Sequence, residues 1–256
     1  MSEHSPNFAV RLARDPAGIA AAQRLRYEVF IEELGGDGAQ VDHAARLERD
    51  RFDDVAAHLL LIDRAAGDRV AGTYRLLDGA AAEAAGGFYS ASEYDLAPLL
   101  SGGRRLLELG RSCLHSDYRG TAGMYHLWSA LAEHVRQTGV EVLFGTASFH
   151  GTDVAALSQP LAYLHHHHLA PEALRVRARP PEAVSLDLIA KDRIDRRAAL
   201  LQVPALIKAY LRLGGAIGEG GWIDRAFNTV DVCLVLDTAR MNDRTARLYA
   251  REGAEG

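Results

Sequence analysis

The sequence predicts a mixed α/β fold, a twisted sheet flanked by helices in a single domain. Three observations predict it. "AAHLLLID" and "DRVAGTYRLL" are strand-type runs joined by the short turn "RAAGD", so they pair antiparallel. "RRLLELGRSCLH", "TAGMYHLWSALAEHVRQTG" and "VEVLFGTAS" read as strand, helix and strand, and that connection implies a parallel crossover. The 256 residues, 48% hydrophobic and 25% charged, contain no segment that reads as an interdomain linker.

The elements follow in order. "DPAGIAAAQRLRYEVFIEELGG" reads as a helix capped by Asp15, opened by Pro16, carried by Ile19, Leu25, Val29 and Phe30, and ended by Gly35 and Gly36. "DGAQVDHAARLERDRFDD" is polar and reads as a loop with a short helical piece. After the hairpin, "GAAAEAAGGFYSASEYDL" reads as a mobile loop with a short helix near residues 91–94. The helix after the third strand has Met124, Leu127, Leu131 and Val135 on one stripe, and Gly139 closes it. The next strand spans residues 140–148. "TDVAALSQPLAYLHHHHLAP" reads as a helix interrupted near Pro160. "ALRVRARP" alternates as a strand would, "RIDRRAALLQVPALIKAYLRLGG" as one kinked helix or two broken at Pro204, and "VDVCLVLD" as a last buried strand. The charged tail beyond Met241 is expected to fray. Residues of about 8–170 are expected to form the core of the domain, and about 171–256 a C-terminal elaboration completing it.

Composition narrows the function. The net charge of −5 argues against nucleic-acid binding. No apolar run approaches the ~18–20 residues a spanning helix needs. The N-terminal stretch lacks a signal-peptide pattern. Cys113 and Cys233 have no metal-type spacing and read as free thiols of a cytoplasmic protein. The run His165 to His168 spreads over four directions of a helix and does not converge on one metal, so no metal is expected.

The informative stretch is "LELGRSCLHSDYRG". It starts as a core strand, yet carries Glu108 and Arg111. In a regular strand these two point to opposite faces, and Gly110 suggests a bulge that brings them to one side. A buried carboxylate needs a partner or a raised pKa. Two readings are open: a structural ion pair, or a carboxylate that accepts a proton from an attacking amine. The turn after it places Gly120 and Gly123 at a helix N-terminus, where unpaired backbone N–H groups favour a phosphate. It lacks the dinucleotide and P-loop signatures. Asp50 and Asp53 in "ERDRFDD" are either a solvated loop or a substrate site. Arg175, Arg177 and Arg179 share one face of the expected strand, as edge protection or as a dock for an anionic partner.

Taken together, "RLRYEVFIEELG", "DRFD", "GTYRLL" and "LELGRSCLHSDYRG" resemble the acyl-homoserine-lactone synthase branch of the GNAT-like acyltransferases. "YLHHHHLAPEALRVRA", "VPALIKAYLRLGGAIGEGG" and "FNTVDVCLVL" resemble the ornithine-lipid N-acyltransferases, sometimes filed as hemolysins. The resemblance implies a GNAT-like fold and transfer of a 3-hydroxyacyl chain from acyl carrier protein to the α-amine of L-ornithine, giving a lyso-ornithine lipid. The donor is then a phosphopantetheine thioester, with no bound cofactor.

By the same resemblance Arg26, Phe30, Asp50, Asp53 and Arg75 bind substrate, and Glu108 with Arg111 forms the catalytic pair. Arg119, Gly120 and Gly123 cradle the donor phosphate. Arg104, Arg105, Arg175, Arg177 and Arg179 are the candidate surface for the acidic carrier. Gly36 stands where the lactone synthases have tryptophan, which argues against S-adenosylmethionine as substrate.

Mechanistically, such an enzyme orients its substrates, removes the amine proton and stabilises an oxyanion. Backbone N–H groups near residues 146–149 are expected to do the last, and Phe30, Phe88, Tyr89 and Phe149 to line the acyl slot. Ser112 and Cys113 lack an adjacent base for nucleophilic catalysis. Alternatives are another N-acyl amino acid synthase, an autoinducer synthase, or a non-catalytic carrier-binding or hemolysin-like protein. Transient contact with the inner membrane is expected of a protein with so lipophilic a product.

Overall fold

The computed structural model describes residues 5–241. In chain order it contains β1 (Phe8–Ala13), α1 (Pro16–Arg26), a π-helical segment (Tyr27–Glu33), β2 (Val41–Asp42), β3 (Leu47–Glu48), β4 (Ala57–Asp63), β5 (Arg69–Asp78) and α2 (Gly79–Ala84). Then come β6 (Tyr94–Asp95), α3 (Ala97–Leu100), β7 (Leu106–Leu114), α4 (Gly123–Thr138), β8 (Val142–His150) and α5 (Ser158–His168). The chain finishes with β9 (Arg177–Ala178), β10 (Ala183–Val184), α6 (Arg196–Gln202), α7 (Ala205–Arg212), β11 (Ala216–Ile217), β12 (Gly221–Asp224) and β13 (Thr229–Asp237). The class is the expected mixed α/β. The described residues group into two compact units that alternate along the chain, residues 5–87 with 108–139, and 88–107 with 140–241.

The first unit is built on the ladder β1-β4-β5-β7. The expected hairpin is present: β4 and β5 pair antiparallel, with Leu60 opposite Thr73 and a register shift after Leu61. β1 adds an antiparallel edge strand that the helix-first expectation passed over. Alternation of side chains sends Leu60 and Leu61 to opposite faces of this sheet. Leu60 packs with Ala13 and Ala22 of α1. The methyl groups of Leu61 and Leu114 approach Gly123, the first residue of α4. So α1 covers one face and α4 the other.

Asp15 caps α1 as expected, accepting from Gly18 N at 2.8 Å. The expected single helix to Gly35 instead changes pitch after Arg26 and runs as a π-helix through Glu33, closed by Gly36 N donating to Phe30 O at 2.9 Å. The polar loop that follows holds a β2–β3 hairpin, not a helical piece. The Ala-rich stretch expected to be mobile forms α2, capped by Asp78 through Ala81 N at 2.9 Å. Once a cap satisfies the first orphan donors, a run of alanines is helical.

The second unit contains the ladder β8-β13-β12-β10, with β11 on β13 and a separate β6–β9 pair. β8 and β13 are antiparallel over nine residues, with Cys233 opposite Thr146. Pro160 does not interrupt α5: it lies in the first turn, where a missing N–H costs nothing. The helical run 196–212 does break at Pro204, giving α6 and α7. The strand expected of "ALRVRARP" shrinks to the two residues of β9, because a 3-10 turn at Glu172–Leu174 and the buried Val176 direct the chain before it. The tail beyond Met241, expected to fray, lies outside the described residues.

Candidate active site

Six charged side chains of the first unit converge. Arg26 stands at the end of α1, Glu48 on β3, Asp50 and Asp53 in the turn after it, Arg75 on β5 and Arg111 on β7. Asp53 is the hub. Its Oδ1 accepts from Arg26 Nη1 at 2.8 Å and Arg75 Nη1 at 3.0 Å. Its Oδ2 accepts from Arg26 Nη2 at 2.5 Å, Gln23 Nε2 at 3.0 Å and the Asp50 backbone N at 3.2 Å. Asp50 accepts from Arg75 Nη1 at 2.6 Å and from Arg111 Nη2 at 3.3 Å. Glu48 accepts from Arg111 Nε at 3.0 Å, and its Oε2 lies 2.5 Å from Arg26 Nε.

Three carboxylates thus face three guanidinium groups. Burial penalises every one of these charges, and each charge is tolerated because its neighbours are opposite. Arg26 and Glu48 are wholly buried, whereas Arg111 and Asp50 keep 11% and 14% of their side chains exposed. The cluster therefore opens to solvent at the Arg111–Asp50 rim. Burial alone would raise the Asp53 pKa, but Arg26 and Arg75 outweigh it and hold the carboxyl far below its usual range. Asp50 is held low in the same way, with Arg75 and Arg111 outweighing burial. Burial also opposes the charge on Arg26, yet Glu48 and Asp53 raise its pKa. His58 sits beneath, its Nε2 donating to Asp53 O at 3.1 Å, and burial keeps its imidazole below the usual value.

Of the substrate-site residues expected from sequence, Arg26, Asp50, Asp53 and Arg75 meet in this cluster. Phe30 is half-buried against Leu25, Val29 and Cys113. Asp53 holds both Arg26 and Arg75 through its carboxylate oxygens and so is not part of a solvated loop. Glu48 escaped sequence reasoning. Its signal was the spacing of acids in "ERDRFDD", where Glu48 precedes the two aspartates that were singled out.

On β7, Glu108 is buried at 3% exposure. The bend expected at Gly110 falls one residue later: Arg111 itself adopts φ 52°, the left-handed region. That breaks the strand alternation and lets the Arg111 guanidinium reach Glu48 and Asp50. Gly110 lies over Arg75, a Cβ there being 3.9 Å from its Nε. Beside it, burial pushes the Cys113 thiol up to about 12. Ser112 Oγ is buried without a hydrogen-bond partner. Neither has a base.

The turn before α4 is tightly held. Arg119 pairs with Glu33 through Nη1, and through Nη2 at 2.7 Å, and also donates to Leu114 O. Gly120 is left-handed at φ 79° with open space where a Cβ would be. Gly123 is buried, and a Cβ on it would sit 2.9 Å from Leu61 Cδ2, so its small size serves helix–sheet packing.

In the second unit the candidate docking arginines differ in their partners. Arg104 is bound to Asp237 at 2.6 Å, and Arg175 donates to Ala170 O at 2.8 Å. Arg105, Arg177 and Arg179 are exposed, with Arg177 3.1 Å from Glu219 and Arg179 3.9 Å from Asp95. Phe88 and Phe149 are core residues, Phe88 edge-on to Phe144. Among the described residues no helix is long and apolar enough to cross a membrane.

Residues 25–129, which hold the whole cluster, match the model of the acetyltransferase (GNAT) domain. The solved structure of FeeM, an N-acyl amino acid synthase from uncultured soil microbes, superposes with a TM-score of 0.53 at 12% identity, covering 97% of this chain and 99% of that one. That likeness establishes the fold. The L-ornithine N(alpha)-acyltransferase of Brucella abortus is 42% identical over 252 residues, 96% of this chain and 90% of the relative. The protein of the same name from Rhodobacter capsulatus is 57% identical over 249 residues, 96% of this chain and 95% of the relative. With 57% identity over 96% of its length to one such relative and 42% to another, the chain is a GNAT-fold acyltransferase and belongs to the L-ornithine N(alpha)-acyltransferase family.

Proposed function

We propose that the protein moves a 3-hydroxyacyl group from the phosphopantetheine thioester of acyl carrier protein to the α-amine of L-ornithine, releasing lyso-ornithine lipid and the carrier thiol. The observation that carries this reading is the 57% identity, across nearly the full chain, to an L-ornithine N(alpha)-acyltransferase. The amine nitrogen attacks the thioester carbonyl, the N–C bond forms, the C–S bond breaks, and the thiolate leaves and takes up a proton. Glu108 accepts the amine proton, directly or through one water. The buried thiol of Cys113 and the baseless Ser112 favour this direct attack over an acyl-enzyme.

Arg111, at the solvent rim of the cluster, meets the ornithine carboxylate, and Asp50 beside it faces an ammonium group. Arg26, Arg75, Glu48 and Asp53 hold those two in place. Arg119 and Gly120, in the turn before α4, are the residues that meet the donor's phosphodiester, with Gly123 serving the packing of α4 on the sheet. The exposed Arg105, Arg177 and Arg179 meet the acidic carrier.

The test supplies purified protein with 3-hydroxyacyl carrier protein and L-ornithine, and follows free carrier thiol and product mass. Thiol release that depends on ornithine, with a product of the mass of the acylated amino acid, is expected. Release without ornithine, or none with any acyl length, overturns the reading. Glu108→Gln is expected to keep carrier binding and lose about a hundredfold or more in turnover, and wild-type turnover removes Glu108 as the base.

A further inference from the structure

We propose that residues 188–212 of the second unit form a surface that docks on an anionic phospholipid bilayer. The chain carries net −5, yet this segment holds six Lys and Arg against two Asp, including both lysines of the protein, Lys191 and Lys208. Among the described residues, no carboxylate pairs with Lys191, Arg193, Arg196, Arg197 or Arg212, all of them exposed. Elsewhere Arg46, Arg49, Arg69, Arg119 and Arg136 are each ion-paired. Of the two acids in the segment, Asp195 is spent on capping α6, accepting from Arg197 N at 2.9 Å and Ala198 N at 3.0 Å. Its charge is turned toward the helix end.

The cations follow one another closely: Lys191 and Arg193 lie in the 3-10 turn Lys191–Arg193 just before α6, and Arg196 and Arg197 open that helix. Arg197 and Leu201 lie one turn apart on α6, so they share a face. Leu201 is 75% exposed and Leu188 is 38% exposed, both large aliphatic side chains in water. The aromatic residue of the segment, Tyr210, is buried.

An exposed leucine sharing a helix face with an unpaired guanidinium, in a segment rich in exposed cations, suits the bilayer interface. The cations meet lipid phosphates, and the leucine enters below the headgroups. The segment exposes no Trp or Tyr, two of the three residue types that most often anchor protein partners. Among the described residues no helix is long and apolar enough to cross a membrane, and the proposed contact is with the bilayer surface. The choice of a bilayer rests in part on the proposed reaction, whose fatty-acylated product must leave into lipid.

Sedimentation of the full chain with vesicles tests this without any substrate. Binding to phosphatidylglycerol–phosphatidylethanolamine vesicles is expected, weakened by salt, with little binding to phosphatidylcholine alone. The double variant Arg196→Glu, Arg197→Glu and the single variant Leu201→Asp should each lower vesicle affinity about tenfold or more. Circular dichroism checks that they fold, and turnover on carrier thioester and ornithine in detergent-free solution should be unchanged. Absence of wild-type binding, or equal binding by the variants, overturns the proposal. So does loss of turnover with vesicle binding intact, which assigns the surface to the carrier protein. Because the vesicle assay contains neither ornithine nor donor, it can fail while the acyltransferase reading stands, and the reverse.

Discussion

Arg111 reaches Glu48, Nε to Oε1 at 3.0 Å, from a backbone held at φ 52°. A non-glycine residue in that region is costly, by about 1–3 kcal/mol, and persists only where its surroundings hold it. Here the hold is the pair of carboxylates, Glu48 and Asp50, that grip its guanidinium. The strained residue is also at the rim where the cluster meets solvent.

Arg111→Lys should separate position from charge. Lysine keeps the cation but loses the planar fork that spans two carboxylates. We expect KM for ornithine to rise about tenfold with a smaller change in kcat, and the melting temperature to fall slightly. Steady-state kinetics against ornithine, read beside a thermal melt, check this. Unchanged KM with a large loss of stability makes Arg111 structural only.

Removing Glu48 should be severe. Glu48→Ala leaves Arg26, wholly buried, without one of its two carboxylates. Breaking one side of a buried pair costs about 3–5 kcal/mol. Urea unfolding should show a midpoint lowered accordingly, and a loss below about 1 kcal/mol would mean that Asp53 alone satisfies Arg26.

Acid should weaken the fold through Asp53 and Asp50. Both have folded-state pKa values below the unfolded value of 3.8. Their contribution is therefore complete above about pH 4, and it is lost as pH falls from there through the folded values. Unfolding free energy measured from neutral pH to about pH 3 should decline in that window, and Asp53→Asn should flatten the slope. A decline already complete near neutrality would point to other groups.

Cys113 should be inert in the native protein. With its thiol pushed up to about 12 by burial, almost no thiolate exists at neutral pH. Native protein should resist an aromatic disulfide reagent at this site and react after unfolding in urea. Peptide mapping resolves it from Cys233. Fast native labelling of Cys113 would contradict the buried geometry.

Two glycines should differ sharply. Gly123→Ala forces a Cβ to 2.9 Å from Leu61, so α4 must shift, and we expect a loss of about 1–3 kcal/mol. Gly110→Ala meets its nearest neighbour, Arg75, at 3.9 Å, ordinary contact, and should leave stability nearly unchanged. Paired thermal melts test both, and equal losses would contradict the packing.

Local pattern made much of the molecule legible. The β4–β5 hairpin, the core strand β7, the apolar stripe of α4 and the break at Pro204 each follow from periodicity and turn chemistry that a few residues carry. The misses have physical causes. β1 is a short strand whose alternation in "FAVRLA" sits beside a stronger helix signal, and it forms because β4 offers an edge to pair with. The π-helical turn after Arg26 has no local signature. Arg26, Asp53 and Arg75 were legible as members of one site through resemblance, yet Glu48 was not, because nothing near it in sequence reports that Arg26 and Arg111 come to it from residues 22 and 63 positions away.

By itself the sequence determined the α/β class, the hairpin, the main helices and the family, because propensity, capping and hydrophobic period are local and identity needs no coordinates. The tertiary structure decided which charges meet. A guanidinium is stable in a dry interior only where carboxylates from other elements surround it, and a strand's own period would have sent Arg111 the other way. That its backbone turns left-handed to join Glu48 and Asp50 is a balance of strain against buried electrostatics, and only the folded chain brings both sides of that balance together.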